Sequence, residues 1–406
     1  MQLILFAMER IQTDILISGG GVAGLTAAAA FGSAGFNVIC IDPEPPVIDA
    51  NAKGADLRST AFLQPAIEVL HAAGLWHKLS PHAAPLQIMR IIDAGGAQNE
   101  PRRIKDFNAS DVSDQPFGYN LPNWLLRREM VARLRDLPNV DFRPGVATKS
   151  ILTRQTEARI TLTDGSAVSA RLLIGADGRN SFVRQSIGIP VRTWRYGQKA
   201  LTFAVTHPIP HANVSTEIHR TGGPFTLVPL PDRDGIPASA VVWMAEGPEI
   251  QRLAALDGPD FEAAINARSC HILGPLTLAS PRATWPIISQ MAQSLIGERT
   301  ALMAEAAHVM PPIGAQGLNM SLTDIATLLD LARATPGTLG DATMLAAYEN
   351  ARYRDIQTRV IGVDALNRAS MLAAPTLRDL RGAGLEALFA ITPLRKTLMR
   401  AGLGVK

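Results

Sequence analysis

The chain has 406 residues, 47% hydrophobic and 18% charged, and its 39 basic and 36 acidic residues leave a formal charge of +3. That length exceeds a single small core and suits two domains plus an extension, and no basic run with interleaved aromatics points to nucleic acid. Cys40 and Cys270 read as reduced, packed thiols of a cytoplasmic protein, the eight histidines show no metal-ligand spacing, and no apolar run reaches the roughly 18 residues of a membrane span.

Met1 to Ala7 is too short for a signal peptide and lacks its basic start. Met8 reads as an alternative start, because MERIQTDILI leads directly into a strand. Asp14 to Ser18 is β-branched and apolar, and Gly19, Gly21 and Gly24 follow in G-x-G-x-x-G register. Ala23 to Gly35 is small and helix-compatible, Val38 to Ile41 is a second buried strand, and Asp42 closes it. One glycine makes the tight turn, one lets backbone approach a pyrophosphate, and one lets helix and strand pack closely. The helix start at Val22 and Ala23 offers amides and a positive dipole end to phosphates, and Asp42 is placed for a ribose. The segment therefore predicts a dinucleotide site.

Thr60 to Leu79 has helical spacing at Phe62, Ile67, Leu70 and Leu75. Residues 86–106 read as strand around a glycine turn at Ala94-Gly95-Gly96, and Leu125 to Leu134 as a helix. Val140 to Leu162 suggests strands, followed by the turn Asp164-Gly165 and a strand over Ala170 to Ile174. From about residue 190 to 285, frequent prolines and short alternating segments predict an antiparallel sheet: Lys199 to Thr206, Ser215 to His219, Phe225 to Leu230 and Ala238 to Met244. Phe261 to Ala267 reads as a helix, and Trp243 and Met244 as sheet core. Thr300 to Met303 is a strand, residues 317–332 a helix, and the chain from Leu345 onward is largely helical. The tail, 375–406, mixes apolar residues with Arg378, Arg381, Arg395, Lys396 and Arg400.

Two further motifs accompany the first. In LLIGADGRNSFVRQSIGI, at 172–189, a buried strand runs into Asp177-Gly178, with Ser181 and Arg184 on the next turn. In ALMAEAAHVMPPIGAQGLNMSLTDIATLL, at 301–329, a strand leads to Glu305, and Gly314 and Gly317-Leu318-Asn319 open a helix. A helix starting near Gly317 aims its amides at whatever anion lies before it. His308 reads as a packed, hydrogen-bonded histidine. His207, His211, His219 and His271 lie in the β-rich region without a basis for choosing among them.

These three motifs in this order resemble the class A flavoprotein monooxygenases, the para-hydroxybenzoate hydroxylase-like group. Segments 56–76, 118–134 and 308–325 look like the ubiquinone-biosynthesis hydroxylase branch of that family. The resemblance implies an α/β fold: a Rossmann-like FAD-binding domain, discontinuous over 10–85, 110–190 and 286–365. A mainly antiparallel β-sheet substrate domain would be inserted at 86–109 and 191–285, with a helical C-terminal extension at 366–406. It also implies that Gly19, Gly21, Val22, Ala23 and Gly24 hold the FAD pyrophosphate and Asp42 the ribose. Arg58 and Arg127 would contact the phosphate or ribityl region, and Asp177 and Gly178 would form a motif shared by FAD and NAD(P)H. Glu305 would meet the ribityl chain, and Pro312, Gly317, Leu318 and Asn319 would line the isoalloxazine.

The implied activity is NAD(P)H:O2 monooxygenation of an aromatic ring through a flavin C4a-hydroperoxide, with a polyprenyl phenol as substrate and no assigned catalytic base. The C-terminal helices would contact the inner membrane peripherally or a biosynthetic partner, or simply pack on the flavin domain. A small soluble aromatic substrate is the alternative, with Arg195 or Arg220 as its cation; a non-enzymatic flavin-fold scaffold is another. One departure stands out: Ala304-Glu305 replaces the family's Gly-Asp. The added methyl predicts weaker FAD binding or a shifted loop.

Overall fold

Ile15, Leu16 and Ile17 have no exposed surface, as expected of a strand covered on both faces by other layers. In the computed structural model, which describes residues 10–56, 58–94, 100–371, 384, 386 and 389–403, that strand is β1 (Ile11–Ser18), central in a largely parallel sheet. Its order is β18 (Ile296–Gly297), β19 (Thr300–Leu302), β11 (Ala167–Gly175), β1, β2 (Val38–Asp42), β8 (Val140–Pro144). Strand β10 (Ala158–Leu162) pairs with β11, and β9 (Thr148–Thr153) with β10. Helices α1 (Val22–Ser33), α4 (Asn123–Arg135), α8 (Gln316–Ala334) and α9 (Ala342–Met371) share one hydrophobic core with it.

Parallel register sets the site. Ser18 lies opposite both Gly175 and Ile41, and Gly175 opposite Leu302. The turns that follow β1, β2, β11 and β19 therefore emerge side by side at the carboxyl edge, where open α/β sheets bind ligands.

The second sheet runs β20 (His308–Val309), β17 (Ala283–Ala292), β12 (Val191–Thr206), β15 (Ile236–Glu246), β14 (Pro224–Arg233), β13 (Val214–His219), β5 (Ile88–Asp93), β6 (Arg103–Asn108), with β16 (Thr277–Leu278) on β12. It is antiparallel except at β13–β5. Its outer face carries Leu201, Phe203, Phe225 and Trp243, packed against α6 (Gly247–Ala255) and α7 (Gly258–Arg268). Its inner face, one residue out of phase, presents Ala200 and Met244 to Ile313 and Met310 of the loop before α8 and to Val363 of α9. Trp243 and Met244 are both buried, as expected, but on opposite faces.

The helix expected over Thr60 to Leu79 is corrected at its start. Ser59–Leu63 forms β3, which pairs with β7 (Gly118–Pro122), itself paired with β4 (Ala84–Leu86). Pro65 then opens α2 (Gln64–Ala72), and Gly74, at φ +68°, separates it from α3 (Trp76–Leu79). The pairing with β7, distant in sequence, outweighs a local helical spacing. Helix α6 was not expected; Pro248 begins it. Two further helices among the described residues are α5 (Phe182–Ser186) and α10 (Thr392–Leu403). Met1–Ala7, Gly95, Gly96, Arg378 and Arg381 lie outside the described residues.

A methyl on Gly24 would sit 1.9 Å from the Gly19 carbonyl oxygen, a backbone atom that cannot turn aside. Gly24→Ala is expected to destabilise the apo-protein by at least about 2 kcal/mol in urea unfolding. An unchanged midpoint would show that α1 does not lie this close to the turn.

Candidate functional site

The glycine turn is shaped from behind and open in front. Gly19 takes φ +117°, and a methyl there would overlap the Ala176 carbonyl at 2.2 Å. Gly21, by contrast, has open space where its Cβ would be, and no side chain caps α1 behind it. Val22 and Ala23 thus begin a helix whose first amides point at that space without a side-chain acceptor. Asp42 borders it. Its carboxylate accepts the Gly20 amide at 2.6 Å and the Glu44 amide at 2.9 Å, which fixes its position and leaves acceptor capacity for a hydroxyl.

Asp177 and Gly178 follow β11 beside this turn; the Asp177 amide nitrogen is 2.8 Å from where a Gly19 methyl would lie. The Asp177 carboxylate is engaged locally, accepting the Ser181 hydroxyl at 2.5 Å and the Val183 amide at 3.0 Å. The motif's backbone borders the turn while its acid holds the start of α5. Gly178, at φ +80°, has open space at its Cβ position. Arg184, 3% exposed, donates to the Ala306 carbonyl at 2.7 Å and so joins the second motif to the third.

The third motif forms a single tight turn, Ala304–Ala306, with Glu305 exposed at the sheet edge. Ala304 adopts φ +54°, the left-handed region in which a Cβ costs about 1–2 kcal/mol. That cost is the physical content of the departure from glycine. The turn is held from inside by Asp324, which has no exposed surface and accepts His308 Nε2 at 2.7 Å, Arg352 Nε at 2.8 Å and the Ala304 amide at 3.4 Å. His308, 2% exposed, is the packed, hydrogen-bonded histidine expected.

Pro312 is exposed on the loop into α8, Gly317 is exposed in the first turn of α8, and Leu318 is half-buried. Helix α8 starts without a side-chain cap, behind Ala315 at φ +56°. Asn319 is buried and fully occupied: it accepts the Leu63 amide at 2.8 Å and donates to Ala61 and Ala315 carbonyls at 2.7 and 2.6 Å. It ties β3 to the start of α8.

Arg58 and Arg127 converge on Asp56. Arg58 donates to it from Nε at 2.8 Å and Nη2 at 2.7 Å, Asn123 donates at 3.0 Å, and Arg127 Nη2 lies 3.6 Å away. Burial raises the Asp56 carboxyl, but the hydrogen bond and charge of Arg58, with Asn123 and Arg127, bring it below its ordinary value. Burial likewise works against the Arg58 cation, but Asp56 and the nearby charge of Glu305 outweigh it and raise its pKa. The Arg58 guanidinium also stacks 4.3 Å from the Trp285 ring centroid on the inner sheet face. The Nε of Arg127 is buried without a partner.

Sequence reasoning missed Asp56, Asn123, Asp324, Arg352 and Trp285. Asp324 carried a signal, an acid set between Met320, Ile325 and Leu328 on an apolar stripe. The four histidines of the β-rich region are not equivalent. His207 is bonded to Ser239 and the Ile209 carbonyl, His211 to the Leu230 carbonyl, and His219 to Glu217, while His271 is exposed.

Comparison with known proteins matches the chain to the family described as FAD binding domain over residues 12–362. The chain belongs to this FAD-binding family, and its cofactor is FAD. A ubiquinone hydroxylase, UbiL, of Rhodospirillum rubrum is 32% identical over 394 residues, spanning 96% of this chain and 89% of the relative. The 3-demethoxyubiquinol 3-hydroxylase of Escherichia coli is 26% identical over 98% of this chain and all of its own. In fold, the crystal structure of p-nitrophenol 4-monooxygenase PnpA from Pseudomonas putida superposes with a TM-score of 0.79 at 18% identity, over 98% of this chain and 100% of that one. The residues present fit the cofactor: Gly21 and Gly178 leave open space where a Cβ would stand, α1 and α8 start without side-chain caps, and the Arg127 Nε is buried without a partner.

Two outcomes are expected here. Ala304→Gly relieves the left-handed alanine and stabilises the protein by about 1 kcal/mol in urea unfolding; a loss of stability would contradict that strain. Asp56 contributes stability above its ordinary pKa that is lost as pH falls through its lowered folded value. Asp56→Asn should therefore cost about 1.5–3 kcal/mol at neutral pH and flatten the acid limb of the stability profile. An unchanged acid limb would remove Asp56 from that role.

Proposed function

We propose that the chain is an NAD(P)H-dependent, FAD-containing monooxygenase that hydroxylates a prenylated phenol in ubiquinone biosynthesis. The observation that carries this reading is the opposition of two surfaces: the cofactor edge, and an apolar inner sheet face formed by Ala200, Met244 and Ile287 against Ile313 and Met310. The relatives named as ubiquinone hydroxylases match nearly the whole chain and support the substrate class.

Gly19, Gly21, Val22, Ala23 and Gly24 bind the pyrophosphate, and Asp42 the ribose. Arg58 and Arg127, oriented by Asp56, neutralise the phosphate and ribityl region. Asp177 and Gly178 shape the wall shared with the nicotinamide donor, and Glu305 meets the ribityl hydroxyls. Pro312, Gly317, Leu318 and Asn319 line the ring, with the dipole of α8 stabilising negative charge at its edge. Bound FAD supplies hydride acceptance and activation of O2. The chain's own residues place the phenol and exclude water, which the apolar inner face suits.

A prenylated phenol partitions into lipid. Among the described residues no helix is long and apolar enough to cross a membrane, and the contact proposed is a peripheral one. Helix α10 and the residue before it present Ile391, Leu394 and Leu398 outward beside Lys396 and Arg400, a pattern suited to an anionic bilayer surface.

The purified protein should be yellow, oxidise NADH or NADPH faster when a prenylated phenol is present, and convert that phenol to a catechol. A gene deletion should accumulate an under-hydroxylated prenyl phenol. Stimulation by simple hydroxybenzoates but not by prenylated phenols would move the substrate to the small soluble class.

A further inference from the structure

Strand β12 contains an irregularity that opens a second space on the inner sheet face. Its pairing with β17 jumps between Arg195 and Lys199, while β17 advances only from Ile288 to Pro286. The extra residues form a bulge, with Gly197 at φ +73°. Tyr196 leaves the ladder there, and its hydroxyl lies 2.6 Å from both Ser289 Oγ and Asp364 Oδ1.

Along β17 the residues Trp285, Ile287, Ser289 and Met291 share this face, because side chains alternate. Trp285 stacks on Arg58 at the cofactor edge, and Ile287 packs in the apolar cluster with Ile313. Beyond them, between Trp194 and Met291 on the sheet and Val360 and Ile361 on α9, lies a groove of about 440 Å³. Tyr196 touches both spaces: it packs on the Ile313 cluster and hydrogen-bonds two groove residues. From Ile287 to Met291 is about 13 Å along the strand.

The polar atoms at the groove floor already satisfy one another. Tyr196 binds Ser289 and Asp364, and Asp364 also accepts Arg368 at 2.9 Å. A ligand lying here finds Trp194, Met291, Ala292, Val360 and Ile361 beside a floor with its hydrogen bonds made, and this apolar part suits a hydrocarbon chain. Arg192, stacked on Trp194, completes the lining with Gln293, Gln357 and Tyr353. Ile361, 62% exposed, stands at its rim.

We propose that this groove holds the isoprenoid tail of the substrate, with its aromatic head at the Ile313 cluster and Tyr196 at the passage between them. The inference rests on the prenylated-phenol reading and adds where the tail goes.

The test uses the FAD-loaded enzyme with phenols carrying one isoprene unit or an octaprenyl chain. Wild type should favour the long chain in kcat/KM, and Ile361→Trp, which fills the rim, should reduce the long-to-short ratio about tenfold, the loss expected when roughly two methylenes stay unburied. Ile104→Glu, on the distant strand β6, should leave the ratio as it is. Binding is read separately by farnesol quenching of Trp194 fluorescence, defined against Trp194→Phe; Ile361→Trp should weaken it. A wild-type ratio indifferent to chain length, or one unmoved by Ile361→Trp, overturns the groove while the hydroxylase reading stands. Farnesol binding lost in Ile361→Trp, without turnover of any prenylated phenol, keeps an apolar-chain site and overturns the substrate. Absence of both turnover and quenching overturns both.

Discussion

The Asp324 carboxylate is the constraint on which the rest of the site depends. A fully buried carboxylate is tolerable only when its charge and lone pairs are met, and three separate segments meet this one. Arg352 brings α9, His308 brings β20, and the Ala304 amide brings the turn at the end of β19. Removing the acid would leave a buried guanidinium without its main partner and free the turn that carries Glu305. Arg184 completes the arrangement by clamping the far side of that turn through Ala306. The third motif is thus shaped less by its own residues than by a charge held beneath it.

A similar economy operates at Asp56. One carboxylate orients Arg58, lies near Arg127 and accepts a hydrogen bond from the Asn123 amide, so these two cations are held in place by the fold itself. Pre-set donors lose little freedom on binding, which favours affinity. Stacking on Trp285 extends the cluster to the antiparallel sheet, so the two sheets meet there through a guanidinium and an indole.

What was legible in the sequence was what is local. The first strand, turn, helix and second strand are contiguous, so their spacing alone describes the cradle, and the alternation along β12, β14 and β15 reveals a two-faced sheet. Ser59–Leu63 misled because its strand character comes from β7, some sixty residues away, and from Asn319, more than two hundred and fifty residues on. Asp56 and Trp285 were invisible for the same reason: each matters through partners brought near only by folding. Ala304 was visible as a departure, but its meaning required a backbone angle, φ +54°.

If the isoprenoid tail lies along the inner face as proposed, the bulge in β12 would set how the fold measures that ligand. The extra residues of the bulge lie on β12, which yields Tyr196 out of the ladder, while along β17 from Trp285 to Met291 every second residue recurs on the inner face at a pitch of about 6.6 Å. On that reading the face would work as a ruler. Insertions or deletions in the surrounding loops leave its graduations untouched, whereas a change in the size of the bulge would shift the mark at which head and tail part. Length discrimination in such a molecule would then evolve by moving one glycine rather than by rebuilding a pocket.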